Sequence, residues 1–183
     1  IPFISYPYEW NASLLRKAAL HHLDTQLEAL QRGFTLSDAT AYNVQFVGPK
    51  PVFIDHLSFR PYNEGEIWTA HRQFCMQFLN PLVLWSRRGV SPNAWFRGSL
   101  EGIEPEQLSP LLGWRDGLSW TLLTHVLLHG SLQRKAARSE GEQAPQEAKL
   151  SRASFKGILQ GLRSFIVKAR LPTGRTVWDQ YAS

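Results

Sequence analysis

Residues 13–32 form the clearest amphipathic segment of the chain. Asn11 stands where a helix N-cap is expected, and Gly33 stands where a helix would end. A spacing of three and four residues places apolar side chains on one face of a helix. The side chains with this spacing are Leu15, Ala18, Ala19, Leu23, Leu27 and Leu30. The pattern predicts a helix over residues 13–32 that packs one face against a core.

Two short apolar runs after this helix predict a β-hairpin. Residues 44–46 and 52–54 are rich in β-branched and aromatic side chains, and Gly48 and Pro49 lie between them as turn residues. A polar side chain borders each strand at the same end of the hairpin. These side chains are Asn43, before the first strand, and Asp55, after the second.

The rest of the chain is mostly helical in pattern. We predict further helices over residues 68–79, 81–88, 92–100, 105–112, 118–138 and 151–169. The last of these is amphipathic, with an apolar face of Phe155, Ile158, Leu159, Leu162, Phe165 and Ile166. Residues 1–10 combine two prolines with aromatic and β-branched residues, which favours an extended edge segment. Residues 139–149 are polar, include a proline and predict a linker.

These elements predict a fold that is mainly α with a small β-hairpin, an α+β class. We expect residues 1–138 to form one helical domain and residues 139–149 to link it to residues 150–183. The last part would carry the amphipathic helix and lead toward a further domain. The sequence does not begin with Met, and its first residues lack the pattern of a signal peptide. We therefore expect it to be a part of a longer protein.

Charge is distributed unevenly along the chain. There are 20 Lys and Arg against 15 Asp and Glu, a net charge of +5, and residues 131–175 hold ten of the basic residues but three of the acidic ones. A basic region can face nucleic acid, lipid or an acidic protein surface. The aromatic residues of the helix over 151–169 lie on its apolar face and not among the charges, so we expect packing against a neighbouring domain and no nucleic-acid partner.

The single cysteine limits the chemistry of the chain. Cys75 can form neither an internal disulfide nor a thiolate zinc site, and between Phe74 and Met76 it is expected to be a buried thiol. No apolar run reaches the ~20 residues that cross a bilayer. These features predict a protein without a membrane span in a reducing compartment, the cytoplasm. His125 and His129 could share a metal ion on a predicted helix, but the glutamate of H-E-x-x-H is absent, which favours a packed or surface pair.

Three polar residues around the hairpin have the spacing of a phosphoryl-transfer site. Asp38 precedes Asn43 by five residues, and Asp55 follows Asn43 by twelve. In such a site one carboxylate lies near the attacking hydroxyl, which would be Asp38, and two oxygen ligands hold Mg²⁺ against nucleotide phosphates, which would be Asn43 and Asp55. The alternative is local: Asp38 caps a turn, Asn43 satisfies backbone groups, and Asp55 caps the next loop.

This segment resembles the catalytic and metal-binding segments of the protein-kinase-like superfamily. DATAYN stands in place of D-x-x-x-x-N and IDHL in place of the D-F-G region. The resemblance implies the large lobe of a kinase fold, with Mg²⁺ and ATP as ligands. It also implies that the run ISYPYEW is similar to the hinge strand at the adenine, with Ser5, Tyr6, Tyr8 and Trp10 as nucleotide contacts. Leu36 and Ser37 stand where kinases carry His and Arg.

A second resemblance covers most of the chain. ISYPYEW, LRKAALHHLDTQLEAL, DATAYNVQF, PVFIDHLSF and AHRQFCMQFLNPL resemble bacterial proteins described as S-adenosylmethionine-dependent methyltransferases, some of them nodulation-protein-like. This resemblance implies a kinase-like accessory region that precedes a methyltransferase domain, its partner in the same chain. S-adenosylmethionine would bind only in that domain, beyond residue 183. The accessory region would bind a nucleotide or an anionic small molecule and would be inactive alone. The alternative is a non-catalytic scaffold that docks onto the methyltransferase domain.

Overall fold

Six α-helices and four short strands form the described part of the chain. The computed structural model describes residues 3–112 and 150–170. The helices are α1 (Ala12–Gln31), α2 (His71–Phe74), α3 (Asn80–Arg88), α4 (Pro92–Phe96), α5 (Pro105–Leu108) and α6 (Arg152–Lys168). The strands are β1 (Phe34–Leu36), β2 (Val44–Val47), β3 (Lys50–Phe53) and β4 (Phe59–Pro61). The helix expected over 118–138, the linker over 139–149 and the pair His125 and His129 lie outside the described residues.

Helix α1 is the longest element of the described fold and has the ends that the sequence predicts. The side chain of Asn11 accepts a hydrogen bond from the backbone N–H of Leu14 at 2.9 Å, which satisfies a donor that the first turn leaves open. Gly33 follows the helix in the left-handed region, at a φ of 82°. The apolar face is buried at Leu15, Ala18, Ala19, Leu23 and Leu30.

Each of the two sheets is an antiparallel pair of strands. The strands of one sheet, β1 and β4, lie before and after the strands of the other, β2 and β3, in the sequence. Strands β2 and β3 form the predicted hairpin, with Val44 opposite Phe53. Strands β1 and β4 also pair, a pairing not predicted, since strands of three residues are too short to show an alternating pattern. A hydrogen bond of 2.8 Å from Ser37 N–H to Ser58 O extends this pairing beyond the strands. The segments before and after the hairpin, β1 and β4, therefore lie next to each other.

One continuous helical stretch runs from α2 to α3 through a π-helical turn, Cys75–Leu79. The prediction had placed two helices here, divided at Pro81. Pro81 has no N–H to donate to the preceding turn, and its ring crowds the carbonyl groups there. The wider π turn accommodates this ring, and the carbonyl of Met76 accepts a hydrogen bond from Ile103 N at 3.0 Å.

The N-terminal segment differs from the extended edge segment that was expected. It forms a 3₁₀ turn at Pro7–Glu9, which the Glu9 carboxylate stabilises by accepting a hydrogen bond from Tyr6 N at 2.7 Å. The segment attaches to β2 through a side chain. Gln45 accepts from Ser5 N at 3.0 Å and donates to Ser5 O at 2.9 Å. The side-chain amide of Gln45 therefore binds the backbone groups of Ser5 that a neighbouring strand would bind in a sheet.

Helix α6 packs against α1 with the apolar face that the sequence predicts. Ser151 caps its first turn by accepting from Ser154 N, and Phe155, Leu159, Leu162 and Ile166 are buried. Arg163 on α6 forms an ion pair with Asp24 on α1 at 2.6 Å. The guanidinium group of Arg152 donates to the carbonyl of Leu30 at the end of α1. The guanidinium group of Arg16, near the start of α1, donates to the carbonyl of Val167 near the end of α6. Helix α6 therefore runs antiparallel to α1 and covers it along most of its length.

The class is α+β, as expected, with mainly helical structure and two small antiparallel sheets. In residues 3–112 and 150–170, no helix is both long enough and apolar enough to cross a membrane. Cys75 is buried, as predicted, and burial raises the pKa of its thiol to about 12.

Replacement of Gly102 by Ala should destabilise the fold more than replacement of Gly33. Both glycines have a positive φ, 84° and 82°, which costs an L-residue ~1–2 kcal/mol. A Cβ at Gly102 would also overlap the carbonyl oxygen of Met76, whereas a Cβ at Gly33 meets nothing within 4 Å. We expect Gly102→Ala to cost a further ~1–3 kcal/mol in urea unfolding. Equal losses for the two variants would contradict the close approach at the π turn.

Candidate functional site

The side-chain amide of Asn43 lies between the two carboxylates that the sequence selected. Its Nδ2 donates to Asp38 Oδ1 at 2.6 Å and to Asp55 Oδ2 at 3.2 Å. All three side chains are partly buried. The structure thus brings Asp38, Asn43 and Asp55 together in one cluster, the Asp38–Asn43–Asp55 site.

The two sheets place this cluster. Asp38 follows β1, and Asn43 ends a 3₁₀ turn, Ala41–Asn43, that leads directly into β2. A hydrogen bond of 2.9 Å from Ile54 N–H to Asn43 O holds the residue after β3 beside Asn43. Asp55 is the next residue after Ile54. Its carboxylate therefore lies beside the side-chain amide of Asn43, the residue that precedes β2.

The local alternative for these residues is met in part. Asp55 Oδ1 accepts from Leu57 N at 3.0 Å and caps the 3₁₀ turn His56–Ser58. Among the described residues, the side chain of Asn43 donates to two carboxylates and to no backbone group. One oxygen of Asp55 therefore has a structural role, while Asp55 Oδ2 faces the cluster.

The electrostatics of the cluster centre on Asp38. Burial raises the pKa of the Asp38 carboxyl group above its ordinary value, and the negative charge of Asp55 raises it further. The hydrogen bond from Asn43 acts in the opposite direction and lowers this pKa. Two carboxylates held this close repel each other, and a bound cation would relieve that repulsion.

The donor set of the cluster suits a metal ion that also binds phosphate. Within the described residues, no group of three or more His, Cys, Asp and Glu side chains is arranged to hold a metal ion. The cluster offers two carboxylates and one amide. Mg²⁺ is commonly bound through one or two carboxylates with substrate phosphates and water in its remaining positions. The residues present therefore fit a magnesium ion shared with an anionic ligand.

The residues predicted as hinge-like nucleotide contacts lie in two environments. Trp10 is buried at 1% exposure, packs edge-on against Phe46, and donates its indole N–H to Ser5 Oγ at 2.9 Å. Tyr6 and Tyr8 stack with ring centroids 5.3 Å apart, and Tyr6 is 42% exposed. The exposed tyrosine face is open to a ligand, whereas Trp10 serves as a core anchor.

An aromatic layer with a buried histidine lies under the hairpin. His22 of α1 has ring contacts with Phe53, Phe74 and Phe78, at centroid distances of 5.6–5.8 Å. It is fully buried, and within residues 3–112 and 150–170 neither ring nitrogen has a hydrogen-bond partner. Burial lowers the pKa of His22 to about 3, so the ring is neutral at pH 7. This side chain therefore packs as an apolar group beneath the strand that leads to Asp55.

Sequence reasoning missed two glutamines that hold the loop of the cluster. Gln73 Oε1 accepts from Ala39 N at 2.8 Å, and Gln77 Oε1 accepts from Ala41 N at 3.3 Å. The signal in the sequence is slight: two polar residues, four apart, within an otherwise apolar helical run. Nothing in that spacing indicates which distant backbone groups they bind.

Apolar side chains are exposed beside the cluster. Leu57 is 95% exposed, and Ile54 and Phe59 are partly exposed on either side of it. Phe59 also borders a cleft of about 440 Å³ between α1 and strands β1 and β4, whose wall includes Phe34 and His21. Leu36, at the position of the kinase histidine, is buried. The surroundings of the cluster thus differ from a kinase catalytic loop at this position.

Comparison with known proteins gives a match over nearly the whole chain. The sequence is 43% identical, over 183 residues, to the nodulation protein NoeA of Rhizobium meliloti (strain 1021). The match covers 98% of this chain and 38% of the length of NoeA. It confirms the nodulation-protein-like part of the resemblance. No family model and no solved structure match the chain, and the kinase-like and methyltransferase parts stay predictions.

Two substitutions should move the pKa of Asp38 in opposite directions. Asp55→Asn should lower it, because a neighbouring negative charge is removed, while the new amide oxygen can still cap the turn at Leu57. Asn43→Leu should raise it, because the hydrogen bond that favours the carboxylate is lost. The measurement is a ¹³C NMR titration of the Asp38 carboxyl carbon.

Asp24→Asn serves as the control for this titration, since Asp24 is an exposed carboxylate on α1 paired with Arg163. It should leave the pKa of Asp38 unchanged. An unchanged pKa in Asp55→Asn would show that the two carboxylates are apart in solution.

Proposed function

We propose that the Asp38–Asn43–Asp55 site binds Mg²⁺ together with the phosphates of a nucleotide, or with another anionic substrate. The observation that carries the proposal is the position of the Asn43 amide between two carboxylates, at 2.6 and 3.2 Å. The region would be a kinase-like accessory part of a methyltransferase-type protein. The methyltransferase part rests on the sequence resemblance alone.

Each member of the site has a distinct role in this proposal. Asn43 Nδ2 donates to Asp38 and to Asp55, which leaves the Oδ1 of Asn43 as the atom that would bind Mg²⁺. Asp55 Oδ2 would be the second ligand, while its other oxygen keeps the cap at Leu57. Asp38 would accept the proton of an attacking hydroxyl group. Its pKa, raised by burial and by Asp55, makes it a better base than an exposed aspartate.

The N-terminal segment offers a place for the base of the nucleotide. Gln45 lies on β2, two residues after Asn43, and binds both backbone polar groups of Ser5. This link connects the segment to the strand that starts at the metal site. The exposed ring of Tyr6, stacked on Tyr8, would be the surface on which a planar base packs.

Binding of Mg²⁺·ATP by the full-length protein, followed by isothermal titration calorimetry, tests this function. Asp55→Asn and Asn43→Leu should each weaken binding by about tenfold or more, because each removes a ligand atom or its support. Asp38→Asn should preserve binding and abolish phosphate transfer to any hydroxyl acceptor. Asp24→Asn is the matched control and should bind as the natural protein does.

The absence of detectable Mg²⁺·ATP binding would rule out the nucleotide proposal, as would equal binding by Asp55→Asn. Binding of ATP without any requirement for a divalent cation would rule out the assigned metal role. In either case the scaffold function would remain.

The alternative function is a scaffold whose basic surface docks onto the rest of the same protein. Helix α6 favours it, since this helix has four basic residues and no acidic one. Its apolar face is already buried against α1, so docking would use its exposed face, where Lys156 and Lys168 lie. A partner surface for this face would be acidic.

Charge reversal at α6 separates the two functions. Lys156→Glu with Lys168→Glu should lower the unfolding temperature of the full-length protein if α6 docks onto another domain, because like charges would then meet. The same pair should leave Mg²⁺·ATP binding unchanged. Lys17→Glu with Arg97→Glu, two exposed basic positions on α1 and after α4, is the control. Equal effects of the two pairs would contradict docking through α6.

A further inference from the structure

The π-helical turn and the helix before it present two glutamines to the loop that carries Asp38. Gln73 lies in α2 and Gln77 in the π turn, four residues further along the same helical stretch. Their amide oxygens accept hydrogen bonds from Ala39 N at 2.8 Å and from Ala41 N at 3.3 Å. These two backbone groups lie between Asp38 and Asn43, the two residues joined by the shortest hydrogen bond of the site.

The loop needs these partners because its backbone is buried outside any strand. Ala39 and Ala41 are fully buried, and neither belongs to a sheet. A buried N–H without a partner costs roughly 1–3 kcal/mol, so such groups are nearly always bonded. The side chains of the helix therefore take the place that a neighbouring strand would otherwise occupy.

The second glutamine also ties the loop to another segment. Gln77 is buried, and its Nε2 donates to the carbonyl of Leu100 at 3.1 Å. The same π turn binds that segment again through Met76 O and Ile103 N. The oxygen and the nitrogen of the Gln77 side-chain amide thus both have partners, which fixes the rotamer of Gln77 and directs its oxygen toward Ala41.

We propose that Gln73 and Gln77 are positioning residues, which set the backbone between Asp38 and Asn43 so that the Asn43 amide meets both carboxylates. Gln73 acts at the residue directly after Asp38, and Gln77 acts two residues before Asn43. In the described part of the chain, the two glutamine side chains bind backbone groups and none of the three side chains of the site. Their effect on the metal rests on the proposed function, whereas their effect on the Asn43 amide does not.

The test measures the Asn43 side chain directly in the full-length protein. In the absence of metal, NMR records the hydrogen-exchange rate of the Asn43 Nδ2 protons. Gln73→Met removes the acceptor for Ala39 N and should raise this rate by about tenfold. Gln73→Glu keeps an acceptor at the same distance, on a half-buried residue, and should retain the slow rate. Gln107→Met removes a side-chain acceptor at an exposed position, that of Glu104 N at the N-cap of α5, and should not change it.

A second measurement follows the Kd of Mn²⁺, used as a probe for the divalent site. Gln73→Met should raise this Kd by roughly tenfold or more, and Gln73→Glu should not raise it. If the natural protein does not bind Mn²⁺, the proposed function fails, and the exchange rates still decide the positioning role. Where Gln73→Met does not fold, Gln73→Asn, whose shorter side chain withdraws the acceptor, replaces it under the same criteria.

The positioning role is overturned if Gln73→Met keeps the slow exchange of the natural protein. It is also overturned if Gln73→Glu exchanges as fast as Gln73→Met, since the effect would then not come from the acceptor. Equal acceleration in Gln107→Met would show a general loss of stability and would overturn it as well.

Discussion

Buried backbone amides outside any sheet are the constraint on which the site depends. The loop from Asp38 to Asn43 runs through the core with Ala39 and Ala41 fully buried, and glutamine side chains satisfy its N–H groups. Those side chains must come from an element at a fixed distance, which is the helical stretch through the π turn. A change in that stretch is therefore transmitted to the cluster without any direct contact with the carboxylates.

The cluster itself balances repulsion against hydrogen bonding. Two carboxylates share the Asn43 amide, and burial and the negative charge of Asp55 raise the pKa of Asp38 above its ordinary value. The hydrogen bonds from the Asn43 amide offset only part of the repulsion between the carboxylates, because the amide is a neutral donor. A cation bound beside the carboxylates would offset more of this repulsion than a neutral amide does.

The parts of the fold that sequence reasoning predicted are those that local signals determine. Asn11 caps helix α1 within its own first turn, and the turn at Gly48 lies between the two strands it joins. The sequence also predicted that Asn43 and Asp55 lie close together, because the two ends of a hairpin are adjacent. The missed parts depend on distant partners. Gln73 binds a backbone group 34 residues away, and the pairing of β1 with β4 encloses a whole hairpin.

The contact between α1 and α6 has a consequence for synthesis of the protein. Arg152 reaches Leu30 across 122 residues of chain, and Arg163 reaches Asp24 across 139. A ribosome that adds ~5–20 residues per second needs roughly 6–28 seconds to cover those distances. In the later part of this time helix α1 is outside the ribosome while helix α6, which covers it, is still being made. Its uncovered apolar side is then a surface for chaperones or for association between nascent chains.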